Sequence, residues 1–142
     1  MSALSYLKLI NERYTGDPDK HWFSYSIEKY ICTGDTSQKS VLILGSNEGW
    51  MEIALRQAGF AGRIVASDIA DKALERASKR VRELGLQGVE HQRADLNVDR
   101  FPAVTFDFVV VEGVLHHIEN IAFCIEGLNR PGFAGNCIQL EP

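Results

Sequence analysis

Val41-Leu42-Ile43-Leu44-Gly45-Ser46-Asn47-Glu48-Gly49 is the stretch that decides the fold. Val41 to Leu44 is apolar toward both faces, the pattern of a strand buried inside a parallel sheet. Gly45 to Gly49 then turns the chain. Trp50, Met51, Ala54, Leu55 and Ala58 follow at helical spacing and stop at Gly59, a natural left-handed residue for a helix C-terminus. Strand, glycine turn and helix therefore succeed one another within twenty residues of sequence.

The same order recurs downstream. Arg63 to Ser67 reads as a second strand, and Leu74, Ala77, Val81 and Leu84 line one face of a helix ending at Gly85. Val89 to Arg93 supplies a third strand and Phe106 to Val111 a fourth. A helix bearing Ile121, Ala122, Ile125 and Leu128 leads through the turn Pro131-Gly132 to a fifth strand, Asn136 to Leu140. Strands alternating with helices through short connections imply right-handed crossovers and a doubly wound α/β sheet of about five strands, mostly parallel. Upstream, Leu4, Leu7, Leu9 and Ile10, then Trp22, Phe23, Ile27 and Tyr30, recur at helical spacing around the polar break Thr15-Gly16-Asp17-Pro18-Asp19. Residues 1–39 are read as an N-terminal helical cap and 40–142 as the core.

Composition narrows the functional classes. The chain has 142 residues, 45% hydrophobic and 24% charged, which suits one globular domain with a real core. Nineteen acidic residues against fifteen basic ones leave a net charge of -4, so no positive field gathers nucleic acid or an anionic membrane. Cys32, Cys124 and Cys137 form no CxxC pair, and the odd count suits reduced thiols better than a disulfide framework. Met1 to Ile10 has neither a signal-peptide core nor a membrane span, and a cytoplasmic protein is expected.

In a doubly wound sheet, ligands bind outside the carboxyl ends of the strands. Three such positions are chemically suggestive. The glycines of Gly45 to Gly49 let backbone approach a ligand while the next helix offers free N–H groups to an anion; a plain strand-to-helix turn is the alternative. Asp68, at the end of the second strand and 19 residues beyond Gly49, can accept hydrogen bonds from both hydroxyls of a ribose, or it can simply cap the following helix. Asp95, after the third strand, suits an exocyclic amine such as that of adenine, with an Asx turn before Leu96-Asn97 as the competing account.

Four segments then carry a resemblance. Val41 to Gly49, Ile64 to Ile69, Ala94-Asp95-Leu96, and Phe106-Asp107-Phe108-Val109-Val110-Val111-Glu112-Gly113-Val114-Leu115-His116-His117-Ile118 look like successive motifs of the class I S-adenosylmethionine-dependent methyltransferases. Leu128-Asn129-Arg130-Pro131-Gly132 is similar to that family's turn before strand five. The resemblance implies a Rossmann-like three-layer sandwich that binds S-adenosyl-L-methionine. It implies that Gly45, Ser46, Asn47 and Gly49 hold the methionine moiety, Asp68 the ribose with Ile69 beside it, and Asp95 the adenine end with Leu96 stacked against it. Glu112 and Gly113 would border the site of methyl transfer to a small-molecule acceptor.

Two positions depart from the family's pattern. Ile43 stands where an acidic residue usually orients the methionine amino group, and Asn47 stands at the middle glycine. Asn is the non-glycine residue that best tolerates positive φ, so the turn is expected to survive. Glu48 or the N-terminal segment is the candidate source of the missing contacts. A non-catalytic cofactor-binding or scaffold domain of the same fold is therefore the alternative reading. An NAD-linked oxidoreductase ranks lower, because a dinucleotide turn needs a small residue where Trp50 stands.

The remaining chemistry-bearing residues read blandly. His116 and His117, as helix neighbours, would point about 100° apart and serve as a helix-start residue and a packing residue rather than a metal pair or base. The charges of Lys72 to Glu83 interleave as on a solvated helix face. Trp22, Phe23 and Tyr25 suit packing on the sheet better than a lid. No residue identifies itself as a catalytic base. The family's sheet has seven strands, so strand 136–140 is expected to present an open edge. Either the chain is shortened, or a homodimer or partner chain covers that edge.

Overall fold

The computed structural model describes residues 2–99, 106–128 and 136–139. Two helices, α1 (Ala3–Thr15) and α2 (Trp22–Tyr30), precede strand β1 (Ser40–Leu44). Then come α3 (Trp50–Gln57), β2 (Arg63–Asp68), α4 (Asp71–Glu83), β3 (Val89–Arg93) and β4 (Phe108–Val111). A 3-10 turn (Leu115–His117), α5 (Ile121–Leu128) and β5 (Asn136–Gln139) complete the order. The five strands are parallel and lie in the order β3-β2-β1-β4-β5. Right-handed crossovers place α3 and α4 on one face and α5 on the other, giving three layers. The expected Pro131-Gly132 turn and Leu140 lie outside the described residues.

Alternation along the strands sorts the core. Val41, Ile43, Ile64, Ala66 and Val110 pack with Phe23, Ile27, Ile31, Met51 and Leu55 on one face. Leu42, Leu44, Val65, Val109 and Val111 pack with Phe106 on the other. Each fully buried aliphatic chain contributes about 2 kcal/mol, so these two layers hold the sheet. The fourth strand pairs regularly only from Phe108, two residues later than the apolar run suggests. The reason is Asp107, which clasps the start of β1: its Oδ2 accepts the Ser40 N–H at 2.8 Å and its own N–H donates to the Ser40 carbonyl at 3.1 Å.

The N-terminal helices are stitched together by one buried side chain. Asn11 donates from Nδ2 to the Pro18 carbonyl at 3.1 Å and accepts the Trp22 N–H at 3.0 Å, spanning the polar break between α1 and α2. Trp22 and Phe23 are buried, as packing rather than a loose lid requires. Among the described residues no helix is long and apolar enough to cross a membrane.

Candidate functional site

Strand order reverses between β1 and β4, and the crevice outside their carboxyl ends is where such sheets take ligands. A cleft opens there. Of the residues singled out from the sequence, Gly45, Asp68, Ile69, Asp95 and Leu96 wall it. Ser46, Asn47, Gly49 and Glu112 are not part of this wall. Ser67, Ala94, Asn97, Val114, His117 and Ile118 complete it and had not been singled out as ligand contacts.

The Gly45–Gly49 turn has three left-handed residues: Gly45 at φ 74°, Asn47 at 54° and Gly49 at 90°. Asn47 thus adopts the positive φ expected of it. The glycines serve protein packing as well as any ligand. A Cβ on Gly45 would sit 2.8 Å from the Val114 Cβ, and one on Gly49 would sit 2.9 Å from the Ala77 Cβ. The turn is fastened to β2, because the N–H groups of Gly45 and Ser46 both donate to the Ser67 carbonyl at 2.9 Å. Gly49 caps α3 without a side-chain hydrogen bond.

Asp68 joins three parts of the site. Its Oδ2 accepts the Asn47 N–H and its Oδ1 the Ala70 N–H, each at 2.9 Å. A carboxylate has about four acceptor positions, so these two bonds fix its orientation and leave capacity for hydroxyls. Beside it, Ile69 walls the cleft and is 52% exposed. Asp95 forms the Asx turn weighed above, its Oδ1 accepting the Asn97 N–H at 3.0 Å. Its own N–H donates to Asp99 Oδ2 at 2.7 Å. The turn and a ligand role are compatible, since Asp95 still walls the cleft. Leu96 packs with Val114 and Leu115 against the buried layer under the sheet.

Several expectations change. Glu48 does not fold back over the turn: its Oε1 pairs with Arg76 Nε at 2.8 Å and its carbonyl accepts from Arg80 at 3.1 Å. Ile43 is fully buried in the apolar layer. The N-terminal segment does reach the turn, through Trp50, whose ring meets Phe23 edge-on at 4.8 Å and His21 at 6.3 Å. Burial lowers the proton affinity of His21, which keeps its Nδ1 available to accept the Phe23 N–H at 3.2 Å. His116 and His117 are exposed on a 3-10 turn, with ring centroids 3.9 Å apart, and are not packing residues on a helix. That turn stays short because Ile118 goes extended to bury its side chain. Among the described residues no three His, Cys, Asp or Glu side chains gather as a metal site.

A buried pair near the turn had no local sequence signal. Glu52 is fully buried in the first turn of α3, its Oε1 3.0 Å from His91 Nε2 on β3 and its Oε2 unpartnered. Glu52 touches the underside of the turn, since a Cβ on Gly49 would lie 3.2 Å from Oε1.

Comparison with known proteins bears directly on this geometry. Residues 41–130 match the methyltransferase domain family, more than half of the chain. The chain belongs to that family. Its fold is that of the class I S-adenosylmethionine-dependent methyltransferases. One curated relative is the ubiquinone/menaquinone biosynthesis C-methyltransferase of Enterobacter sp. (strain 638), 29% identical over 125 residues that cover 84% of this chain and 48% of the relative. The chain thus spans about half the length of the curated relatives it matches. Among solved structures, coclaurine N-methyltransferase bound to N-methylheliamine and SAH superposes with a TM-score of 0.67 at 20% identity, covering 83% of this chain and 35% of that one. A SAM-dependent methyltransferase from Aquifex aeolicus gives 0.63 at 21% identity, covering 92% and 67%. At such identities the two structures speak for the fold.

Proposed function

We propose that this methyltransferase-family chain binds S-adenosyl-L-methionine across the carboxyl ends of β1, β2 and β3 and directs its methyl group to a small-molecule acceptor. The observation that carries this is Asp68, a carboxylate in the cleft wall that is oriented by the glycine-turn and α4 backbones and retains acceptor capacity for two vicinal hydroxyls. The assignment of the turn residues Gly45, Ser46, Asn47 and Gly49 to the methionine end, of Ile69 to the cofactor beside Asp68, of Asp95 and Leu96 to the base, and of Glu112 to the transfer site belongs to the same reading. The glycine N-cap of α3, which makes no side-chain bond to the helix, supports it.

When bound, the cofactor supplies an activated methyl group for in-line displacement, so the chain's task is to orient two reactants and exclude water. Residues 1–39 serve as the helical cap at the methyl end, a role supported by the contact of His21 and Phe23 with Trp50. The relatives' names, a quinone-biosynthesis C-methyltransferase and coclaurine N-methyltransferase, support a small-molecule acceptor. The terminal place of β5 in the described sheet supports a second chain or further segment pairing along it.

Titration calorimetry with SAM, SAH and NAD tests the reading. The wild-type chain should bind SAM and SAH and not NAD, and Asp68→Ala should weaken SAH by about ten- to a hundredfold. Absence of binding by the wild type, or an unchanged Asp68→Ala, sinks it. Ile43, apolar and buried where the family usually has an acid, favours a second reading in which the domain binds cofactor without transferring the methyl group. Binding with no transfer to a broad acceptor panel supports that reading.

A further inference from the structure

We propose that Asn97 is a positioning residue that locks the adenine-side loop after β3 to the loop after β4, and so fixes the shape of the cleft. The inference rests on the cofactor reading above. Asn97 walls the cleft, and its Oδ1 accepts two backbone N–H groups from across it, Glu119 at 2.8 Å and Asn120 at 3.1 Å. Asn120 in turn caps α5, its Oδ1 accepting the Phe123 N–H at 3.1 Å. One side chain after β3 therefore sets where α5 begins.

The link continues to the other side. The Asn97 N–H donates to Asp95 Oδ1, so Asp95, Asn97 and residues 119–120 form one hydrogen-bonded run. Immediately before that anchorage stand His117 and Ile118, two more residues of the cleft wall. Leu96, Val114 and Leu115, from the two loops, all pack against the same buried layer. Contact between the two loops alone would let them slide. Two N–H groups converging on one oxygen fix both distance and direction.

Position decides between a structural and a functional account. Glu119 and Asn120 are exposed, so water can replace Asn97 at their N–H groups and global stability depends little on the contact. Ligand binding depends on it more, because affinity falls when wall residues must be ordered at the moment of binding. Asn97→Asp keeps an acceptor at the α5 N-terminus, where a negative charge is favoured; Asn97→Ala and Asn97→Leu remove it.

The test measures calorimetric affinity for SAH and for 5′-methylthioadenosine, which lacks the amino-acid end, with melting temperature and amide hydrogen exchange of the free protein. Asn97→Ala and Asn97→Leu should weaken both ligands by the same factor, about tenfold, with melting nearly unchanged and with lost protection at Glu119 and Asn120. Asn97→Asp should retain most of the affinity. Wild-type affinity in Asn97→Ala, or an Asn97→Asp variant as weak as Asn97→Ala, overturns the proposal. If the wild type binds neither ligand, the cofactor reading and this role in it both fall, while retained or lost amide protection still reports whether the tether exists.

Discussion

The backbone N–H of Asn47 donates to the Asp68 carboxylate at 2.9 Å, so the non-glycine residue at positive φ is held by the residue assigned to the ribose. Turn geometry and the orientation of the Asp68 carboxylate are one unit. Asn47→Ala should lower stability by about 1 kcal/mol, the cost of a left-handed residue with a Cβ and no compensating amide. Asn47→Gly should be closer to wild type and should bind SAH at least as well. Urea denaturation and calorimetry decide; equal behaviour of the two variants would show that φ at this position is unimportant.

Gly45 answers to Val114 as much as to any ligand. Gly45→Ala combines positive-φ strain with a 2.8 Å clash, and a loss of about 2 to 4 kcal/mol is expected. Adding Val114→Ala removes the Cγ contacts at 2.9 and 3.3 Å but keeps the Cβ contact at 2.8 Å, so it should recover part of the steric share and leave the conformational share. A double variant no more stable than Gly45→Ala alone would mean that Val114 already moves aside freely.

Glu52 and His91 supply a sharper stability test. Removing one member of a buried hydrogen-bonded pair leaves the other uncompensated, so His91→Ala should cost about 3 kcal/mol or more in chemical denaturation. Glu52→Gln keeps a partner for His91 and should cost less. A His91→Ala loss below about 1 kcal/mol would mean that solvent reaches Glu52 without difficulty.

Much of this was legible in the sequence because it is local. Val41 to Leu44 is apolar on both faces and became the central strand, and Asn47 is the residue type that accepts a left-handed turn. Asp68 ends a strand and Asp95 follows one, and both reached the cleft for that reason. What escaped is long-range. Asn97 meets partners 22 and 23 residues away, and Glu52 meets His91 across 39, separations that leave no periodic trace. The same cause misplaced the histidines: Asn97 takes the N–H groups of Glu119 and Asn120, so His116 and His117 stay on an exposed 3-10 turn ahead of α5.

The titration of His21 makes a prediction about pH. Burial lowers its proton affinity below the ordinary value of 6.5, and its unprotonated Nδ1 accepts the Phe23 N–H at the start of α2. The unfolded chain therefore takes up a proton at higher pH than the folded one. By linkage, this contribution is fully present above pH 6.5 and is lost progressively as pH falls through the lower folded value. His21→Asn retains a capping acceptor and cannot titrate, so it isolates this residue from the other histidines and the carboxylates. Urea midpoints measured from pH 7.5 down to 5 should converge for wild type and variant at neutral pH, with the wild type falling more steeply on acidification. Parallel curves over that range would mean that the imidazole stays as accessible to protons in the fold as in the open chain.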